Sequence, residues 1–373
     1  MRLAVTTHPA SRTVTAMLDT LCGKYLQGKE EVLRLAVIAM LAGGHILIED
    51  LPGLGKTTLV LALAQSTGLS FGRVQCTSDL LPSDITGLSV FNREEGRFTF
   101  LPGPIFNNIV LLDEINRAMP RTQSAMLEAM EERRVTVEGV THQLPEPFTV
   151  FATQNPSEQS GTFPMPESQL DRFMICTGIG YPPEKMEKLI IKGGGIRERI
   201  ADIPAVATAA DIMSARQAVL GEIYLSDKVV NYIHEIVTAS RNLPMIQTGL
   251  STRAAINLAQ AGRDFVAPED VKGLVPAVCA HRLVTRPEFE TTNKGEVLRE
   301  LIKGKASRCL WSEHQQGRSA LYRHHPALGV CCGQHRQQPP LSDRLRALGL
   351  HVRYRPGRHA EPQTAHPGTF SSY

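Results

Sequence analysis

The stretch HILIEDLPGLGKTT, residues 45–58, decides the fold of this chain of 373 residues. Its apolar run at residues 46–48 predicts a short strand, and Lys56 opens a helical run that ends before Gly68. Between the two lies a turn rich in glycine and proline. Glycines let backbone N–H groups turn toward a ligand, and a helix N-terminus adds positive partial charge. Strand, turn and helix start together predict a cradle for phosphate groups in an α/β domain.

The same turn predicts a site for a nucleoside triphosphate and Mg²⁺. Lys56 would lie along the β- and γ-phosphates, and the Thr57 hydroxyl would bind Mg²⁺. The strict pattern G-x-x-x-x-G-K-[ST] is missed at one position, where Asp50 stands in place of the first glycine. The glycines nearest the phosphates remain, so the physical argument is unchanged. The predicted nucleotide-binding residues are Pro52, Gly53, Leu54, Gly55, Lys56, Thr57 and Thr58.

Length and composition fit about two globular domains at the usual ~150 residues each. A hydrophobic content of 42% and a charged content of 21% exclude a disordered or fibrous chain. The chain has no uninterrupted run of ~20 apolar residues, and its N-terminus lacks the pattern of a secretory signal. Seven cysteines without paired spacing fit a reducing compartment better than a disulfide framework. We therefore expect a cytoplasmic protein without a membrane span.

The net charge of +3 is unevenly distributed along the chain. Residues 301–373 hold eleven Lys or Arg against three Asp or Glu, so this segment carries +8 and the remainder carries −5. The net negative charge of residues 1–300 argues against nucleic acid as a binding partner. The basic segment also holds seven of the twelve histidines and shows little apolar periodicity. It predicts an atypical, disordered tail, and we hypothesise that the tail is read from a shifted frame.

A second apolar run, residues 109–112, ends in the two acids Asp113 and Glu114. A continuous run of this kind is typical of a strand that is buried on both faces of a parallel sheet. Two carboxylates beside an apolar core are costly unless a cation or a proton transfer needs them. We predict that Asp113 holds Mg²⁺ through water, and that Glu114 orients and deprotonates an attacking water.

Three further polar side chains are candidate catalytic groups. Residues 149–153 predict a strand that delivers Asn155 to the same sheet edge, where it either forms a turn or binds the γ-phosphate or the attacking water. Arg172 follows Asp171 on a predicted short helix, and the pair is either a surface ion pair or a source of charge for a transferring phosphoryl group. Arg253 falls in the first turn of a helix, where the helix dipole disfavours cations; this position either indicates an anionic partner or is one that an exposed arginine tolerates at little cost.

The rest of the pattern predicts hairpins and then helices. Alternating residues near 88–100 and 135–140 predict two β-hairpins. Residues 121–134 between them predict a helix whose charged residues, including Glu131 and Arg133, form a solvated face. From Pro182 the predicted elements are helices only, over 184–192, 208–220, 226–241, 251–263 and 268–284. The predicted domains are a nucleotide-binding domain (1–181), a helical lid (182–300) and the tail (301–373).

The motifs LPGLGKTT, IVLLDEINRA, FTVFATQNP, LPSDITG, LDRF and GLSTRAA together closely resemble the MoxR family of AAA+ ATPases, over residues 25–283. The resemblance implies an α/β fold, a P-loop AAA+ αβα sandwich with a mostly parallel sheet, followed by a small all-helical lid domain. It implies ATP and Mg²⁺ as bound groups and a homo-oligomeric ring, often a hexamer. It also implies ATP hydrolysis that drives chaperone-like remodelling or maturation of partner protein complexes, often partners with von Willebrand factor A domains.

The resemblance also implies roles for single residues. The two hairpins look like the helix-two insert and the pre-sensor hairpin, which face the ring pore. Arg172 matches the arginine finger, with Arg117 and Arg121 as rivals. The remaining implied roles are Walker A for Lys56 and Thr57, Walker B for Asp113 and Glu114, sensor one for Asn155 and sensor two for Arg253.

Two other functions stay open at this point. A DNA-acting AAA+ motor shares every catalytic residue, although the acidic body argues against nucleic acid as a partner. A nucleotide-binding scaffold that does not hydrolyse ATP is expected to lack Glu114 or the arginine finger, and both are present.

Overall fold

The computed structural model describes residues 9–94, 96–156, 161–192, 196–222, 225–262 and 268–311. In this part of the chain the strands are β1 (Ile46–Glu49), β2 (Phe71–Gln75), β3 (Gly87–Asn92), β4 (Arg97–Pro102), β5 (Ile109–Asp113), β6 (Arg134–Val137), β7 (Val140–Gln143), β8 (Thr149–Gln154), β9 (Ile175–Thr177), β10 (Ile246–Thr248) and β11 (Val284–Thr285). The helices are α1 (Pro9–Thr20), α2 (Glu30–Leu41), α3 (Lys56–Thr67), α4 (Pro82–Thr86), α5 (Pro120–Glu132), α6 (Glu167–Leu170), α7 (Glu184–Ile191), α8 (Ala209–Gln217), α9 (Asp227–Arg241), α10 (Thr252–Ala261), α11 (Pro268–Cys279) and α12 (Lys294–Trp311). None of these helices is long and apolar enough to cross a membrane.

Five strands form one parallel sheet in the order β2-β5-β8-β1-β9. Alternate residues of these strands belong to two different apolar clusters. Ile46 and Ile48 pack in the cluster that contains α2 and α3, whereas Leu47 packs in the cluster that contains α5. Both faces of the sheet are therefore buried, which explains the continuous apolar runs in the sequence. The predicted αβα sandwich is confirmed.

Both predicted hairpins are present. Strand β3 pairs antiparallel with β4, and β6 pairs antiparallel with β7. The first hairpin exposes two aromatic rings, Phe91 (51% exposed) and Phe98 (66%), which contact each other edge to face with 5.3 Å between ring centroids. Large exposed aromatic side chains are unusual on a surface that meets only water.

Helix α5 ends two residues earlier than predicted, and the arginine that follows it is not solvated. Arg133 lies in the left-handed region with φ 57°. Its guanidinium donates to the carbonyl oxygen of Phe148 at 2.8 Å and to that of Gly43 just after α2. Burial lowers the pKa of Arg133. The prediction of a solvated face is wrong at this residue, because the chain turns inward there and the guanidinium satisfies carbonyl groups that the helix pattern does not reveal.

The region after Pro183 contains the predicted helices and two features that the prediction did not include, a two-stranded sheet and a further helix. Strand β10 pairs antiparallel with β11 between the helices, and strands of two or three residues are too short to leave an alternating pattern in the sequence. Helix α12 extends past Leu301 to Trp311, into the segment predicted as a disordered tail. Leu298 and Ile302 anchor this helix in the apolar cluster. The rest of the predicted tail, 312–373, lies outside the described residues.

The histidine that precedes β1 is buried and should make the stability of the protein depend on pH. His45 Nδ1 accepts the N–H of Val150 at 3.0 Å, and its Nε2 lies 3.1 Å from the carbonyl oxygen of Met130. Burial, with a further contribution from the Arg133 charge, lowers the pKa of His45 to about 3. The unfolded chain takes up this proton near the ordinary pKa of ~6.5, whereas the folded chain does not. Stability that is complete above pH ~6.5 is therefore lost as the pH falls toward 3.

We expect the free energy of unfolding to fall by about 1.4 kcal/mol per pH unit for this histidine in that window. Urea unfolding at two pH values inside this window, about 5.5 and about 4.5, measures the slope. A His45→Gln variant should show a shallower slope, whereas His234→Gln, at an exposed position on α9, should not change it. Equal slopes for His45→Gln and the parent protein would show that the assignment is wrong.

Candidate functional site

The turn between β1 and α3 forms an open cradle. Gly53 and Gly55 have φ values of 83° and 88°, in the left-handed region that glycine adopts without strain. A Cβ atom built on either residue would meet no other atom within 4 Å, so the space above the turn is open. Gly55 is the N-cap of α3 and provides no side-chain cap, so the first N–H groups of the helix are available to a ligand. These features fit bound phosphate groups.

Lys56 lies across this cradle. Its ammonium group donates to the carbonyl oxygen of Asp50, and to that of Gln154 at 3.3 Å. The φ of Asp50 is outside the left-handed region, so the backbone does not require the glycine that the strict motif places there. The groove next to Lys56 has a volume of about 320 Å³ and is bounded by the turn and by the ends of β2, β5 and β8.

The two predicted Mg²⁺ ligands are neighbours in this groove. Thr57 Oγ1 lies 3.5 Å from Asp113 Oδ2, and Thr153 Oγ1 donates to Asp113 Oδ1 at 3.2 Å. Arg73 contacts the same carboxylate, with its Nε at 2.8 Å and its Nη2 at 2.7 Å from Oδ2. One hydroxyl and one carboxylate fit Mg²⁺, which usually keeps several waters and binds one or two carboxylates together with phosphate oxygens.

Glu114 has a strained backbone and a well-held carboxylate. Its φ of 57° and ψ of 50° are left-handed, a conformation that costs a non-glycine residue about 1 kcal/mol or more. Its N–H donates to Thr153 Oγ1 at 2.9 Å. Its Oε2 accepts from Gln75 Nε2 at 3.2 Å and lies 3.0 Å from Arg117 Nε. Strain of this kind is often found at functional sites, where it fixes the direction of a side chain.

Asn155 completes the groove from the end of β8. It is 6% exposed and lines both this groove and an adjacent cavity of about 450 Å³ that Asn116 also lines. The structure therefore brings together Gly53, Gly55, Lys56, Thr57, Asp113, Glu114 and Asn155. This arrangement can bind phosphate groups and a divalent cation, and it places a carboxylate where it could take a proton from water.

The other two candidate arginines are not in this groove. Arg172 and Arg253 line a separate cavity of about 370 Å³, together with Gly44 and His45. Those two residues precede β1, whereas the phosphate cradle follows it. Four residues of strand span ~13 Å at ~3.3 Å per residue, so the two sites lie at opposite ends of the sheet. Neither arginine can contact the phosphate cradle of its own chain in this conformation.

One carboxylate holds both arginines. Glu131 Oε2 lies 3.2 Å from Arg172 Nε, and Glu131 Oε1 accepts from Arg253 Nη2. Glu131 is exposed, as predicted for a solvated face, but arginines from two distant parts of the chain also contact it. A shared carboxylate offsets the repulsion between two guanidinium groups and keeps both near one point.

Asp171 contacts both a buried arginine and the residue that precedes α10. It lies 3.0 Å from Nε of the buried Arg282, and it accepts from Ser251 Oγ at 3.2 Å. Arg282 also donates to the carbonyl oxygen of Phe173 at 2.6 Å. Burial lowers the pKa of Arg282, and the Asp171 charge partly offsets that effect. Asp171 thus fixes the start of α10, and with it Arg253, against the segment that carries Arg172.

Sequence reasoning missed four residues of these sites. Arg73 and Gln75 alternate with Gly72 and Val74 on β2, and the register places Gln75 beside Asp113. That alternation, next to a strand that ends in two acids, was the available signal. The sequence contains no comparable signal for Thr153 and Glu131, because their partners come from other strands and from the lid.

Comparisons with known proteins agree with this geometry. Residues 45–175 match the family described as "ATPase family associated with various cellular activities (AAA)", and residues 238–301 match the "AAA lid domain". The "Uncharacterized protein YeaC" of Bacillus subtilis is 43% identical over 289 residues, which cover 75% of this chain and 90% of that protein. The "Chaperone MoxR1" of Mycobacterium tuberculosis is 35% identical over 278 residues, which cover 70% of this chain and 73% of that protein.

A solved structure supports the fold independently. The crystal structure of a putative ATPase from Cytophaga hutchinsonii superposes with a TM-score of 0.73 at 33% sequence identity. The superposition covers 79% of this chain and 94% of that chain.

Proposed function

This chain belongs to the MoxR family of AAA+ ATPases, and from that premise we propose that it hydrolyses ATP with Mg²⁺ at the interface between two copies of the chain. One observation carries the proposal. The groups suited to bind phosphate and activate water lie at one end of the sheet, and the two candidate arginines lie at the other. A neighbouring protomer would therefore have to supply the arginines.

In the protomer that binds ATP, each residue of the groove has a distinct task. Lys56 turns from the carbonyl oxygens it now contacts to the β- and γ-phosphates. Thr57 would hold Mg²⁺ directly and Asp113 would hold it through water, and the ion would neutralise charge on the phosphate oxygens. Glu114 accepts a proton from the attacking water, and Asn155 orients that water or the γ-phosphate.

The neighbouring protomer contributes Arg172 and Arg253 together. Arg172 stabilises the charge that spreads over the transferring phosphoryl group. Arg253 lies too far from the cradle of its own chain to sense that nucleotide, so we assign it to the neighbour's nucleotide as well. Arg117 is a poorer candidate for the finger, because it contacts Glu114 of its own chain at 3.0 Å.

The experiment for the proposed function is nucleotide binding by a Lys56→Ala variant. Losing charge-assisted hydrogen bonds worth about 1.5–3 kcal/mol should weaken Mg·ATP binding by about 10- to 100-fold. Isothermal titration measures this effect. The matched control is Lys188→Ala, whose exposed ammonium pairs with Glu184 four residues earlier on α7. Equal affinity in the parent protein and Lys56→Ala, or no binding in the parent, would contradict the proposal.

We further propose that hydrolysis drives chaperone-like remodelling of protein partners by a ring, with a hexamer as the predicted size. Partners with von Willebrand factor A domains are the predicted class. The exposed rings of Phe91 and Phe98 on the first hairpin support contact with a protein client. The free thiols of Cys22, Cys76 and Cys176 fit the predicted cytoplasmic location.

A further inference from the structure

The segment between β9 and α7 is held from both sides. Asp50 Oδ2 accepts the N–H groups of Ile179 at 2.7 Å and Gly180 at 2.6 Å. The ammonium group of Lys29 donates to the carbonyl oxygens of the same two residues, at 3.1 Å and 2.6 Å. The N–H groups of residues 179 and 180 therefore bind Asp50, and their carbonyl oxygens bind Lys29. The chain continues from here into α7, the first helix after the sheet.

Asp50 also belongs to the phosphate cradle. It directly follows β1, and its carbonyl oxygen accepts from the ammonium group of Lys56. Its Oδ1 accepts the N–H of Leu51 at 2.9 Å. Burial alone would raise the pKa of Asp50, but the N–H donors of Gly180, Leu51 and Ile179 outweigh it and lower the pKa. The carboxylate thus stays ionised at neutral pH and keeps its hydrogen bonds strong.

Two glycines in the segment that faces Asp50 leave room for its carboxylate. A Cβ atom on Gly178 would lie 3.3 Å from Asp50 Oδ2 and 3.3 Å from the carbonyl oxygen of Glu49, which is tighter than ordinary contact. Gly180 has φ 68°, a conformation that other residues adopt only with strain. Both glycines therefore allow the segment to approach Asp50 closely.

We propose that Asp50, which replaces the first glycine of the strict phosphate-loop motif, is a positioning residue that links the phosphate cradle to residues 178–180. Lys56 leaves the Asp50 carbonyl oxygen when it binds phosphate. The backbone at Asp50 then loses a charged donor, while its carboxylate remains bound to Ile179 and Gly180. A change of orientation at Asp50 is thereby passed to the segment that leads into α7. This inference rests on the proposed function, since it needs ATP in the cradle.

Hydrogen exchange of the amides of Ile179 and Gly180 tests the link directly, because these amides are the donors to Asp50. We expect both amides to exchange slowly in the parent protein and to change rate when a non-hydrolysable ATP analogue is added with Mg²⁺. Asp50→Gly should raise their exchange rates by about 10- to 100-fold, the value of a hydrogen bond to a charged group. It should also remove their response to the nucleotide.

Steady-state kinetics separate positioning from binding. Asp50→Gly should lower kcat by about 10-fold, a typical size for coupling between sites, and leave KM within about threefold. Lys29→Met is a second variant that loosens the same segment without altering the phosphate cradle, and it should weaken the nucleotide response in the same direction. Asp79→Gly, at an exposed position after β2, is the matched control and should behave as the parent.

The outcomes are distinguishable. If the parent protein binds the analogue and both Asp50→Gly and Lys29→Met keep the full nucleotide response at Ile179 and Gly180, the link is refuted while the proposed function stands. If the parent protein does not bind the analogue, the proposed function fails first. Loss of the response in Asp50→Gly with nucleotide affinity retained supports the link.

Discussion

A Glu114→Gln variant should keep its affinity for Mg·ATP and lose hydrolysis by about 10²- to 10⁴-fold, the usual contribution of a general base. Glutamine has the same shape as glutamate and can still accept from Arg117 and Gln75, so the groove keeps its form. It cannot take a proton from water. The left-handed backbone at residue 114 is also retained, because the substitution changes only the side-chain terminus.

Single-turnover hydrolysis and retention of labelled ATP on the protein measure the two halves of this prediction. The control is Glu94→Gln, an exposed glutamate at the turn of the first hairpin, which should turn over ATP as the parent does. Hydrolysis by Glu114→Gln at the parental rate would exclude Glu114 as the base. Because the variant should hold ATP and client together, proteins that co-purify with it and not with the parent would identify the client.

The groove around Glu114 could be predicted from the sequence because its parts are local. The phosphate turn, the end of β5 and the end of β8 each follow an apolar strand, and parallel strands bring their carboxyl ends to one edge. A strand pattern and the residues just after it are therefore sufficient to place Lys56, Asp113 and Asn155 near one another. Helix starts such as Ser226, which caps α9 through the N–H of Val229, are equally local.

The second site could not be predicted in the same way, because it depends on how distant elements pack. Helical periodicity places Glu131 and Arg133 on the outer side of the helix predicted over residues 121–134, but it does not say what covers that side. The start of α10 brings Arg253 to Glu131 across 122 residues of sequence. The contact between Arg253 and Glu131 lies at the end of the sheet where β1 begins. Its position depends on the order of the strands, which is a long-range property of the fold.

An Arg172→Ala variant should lose hydrolysis by about 10³- to 10⁵-fold, as expected when an arginine finger from a neighbouring subunit is removed. Its nucleotide affinity should stay close to that of the parent, because the phosphate cradle lies at the other end of the sheet. The specific activity of the parent protein should rise with protein concentration, because a lone protomer has no neighbour to supply Arg172 to its phosphate cradle. Arg134→Ala, whose exposed guanidinium lies 3.1 Å from a carboxylate oxygen of Glu132, is the matched control.

Mixing two inactive variants decides whether the arginine acts on its own chain or on a neighbour. Arg172→Ala keeps Glu114, and Glu114→Gln keeps Arg172, so a mixed assembly contains interfaces at which both groups are intact. If Arg172 acts across the interface, the mixture should recover part of the parental activity that neither variant has alone. If it acts within one chain, every protomer in the mixture lacks one of the two groups, and no activity returns. Recovery in the mixture, together with its loss on dilution, would tie hydrolysis to the contact between protomers, because separated chains cannot share the two ends of their sheets.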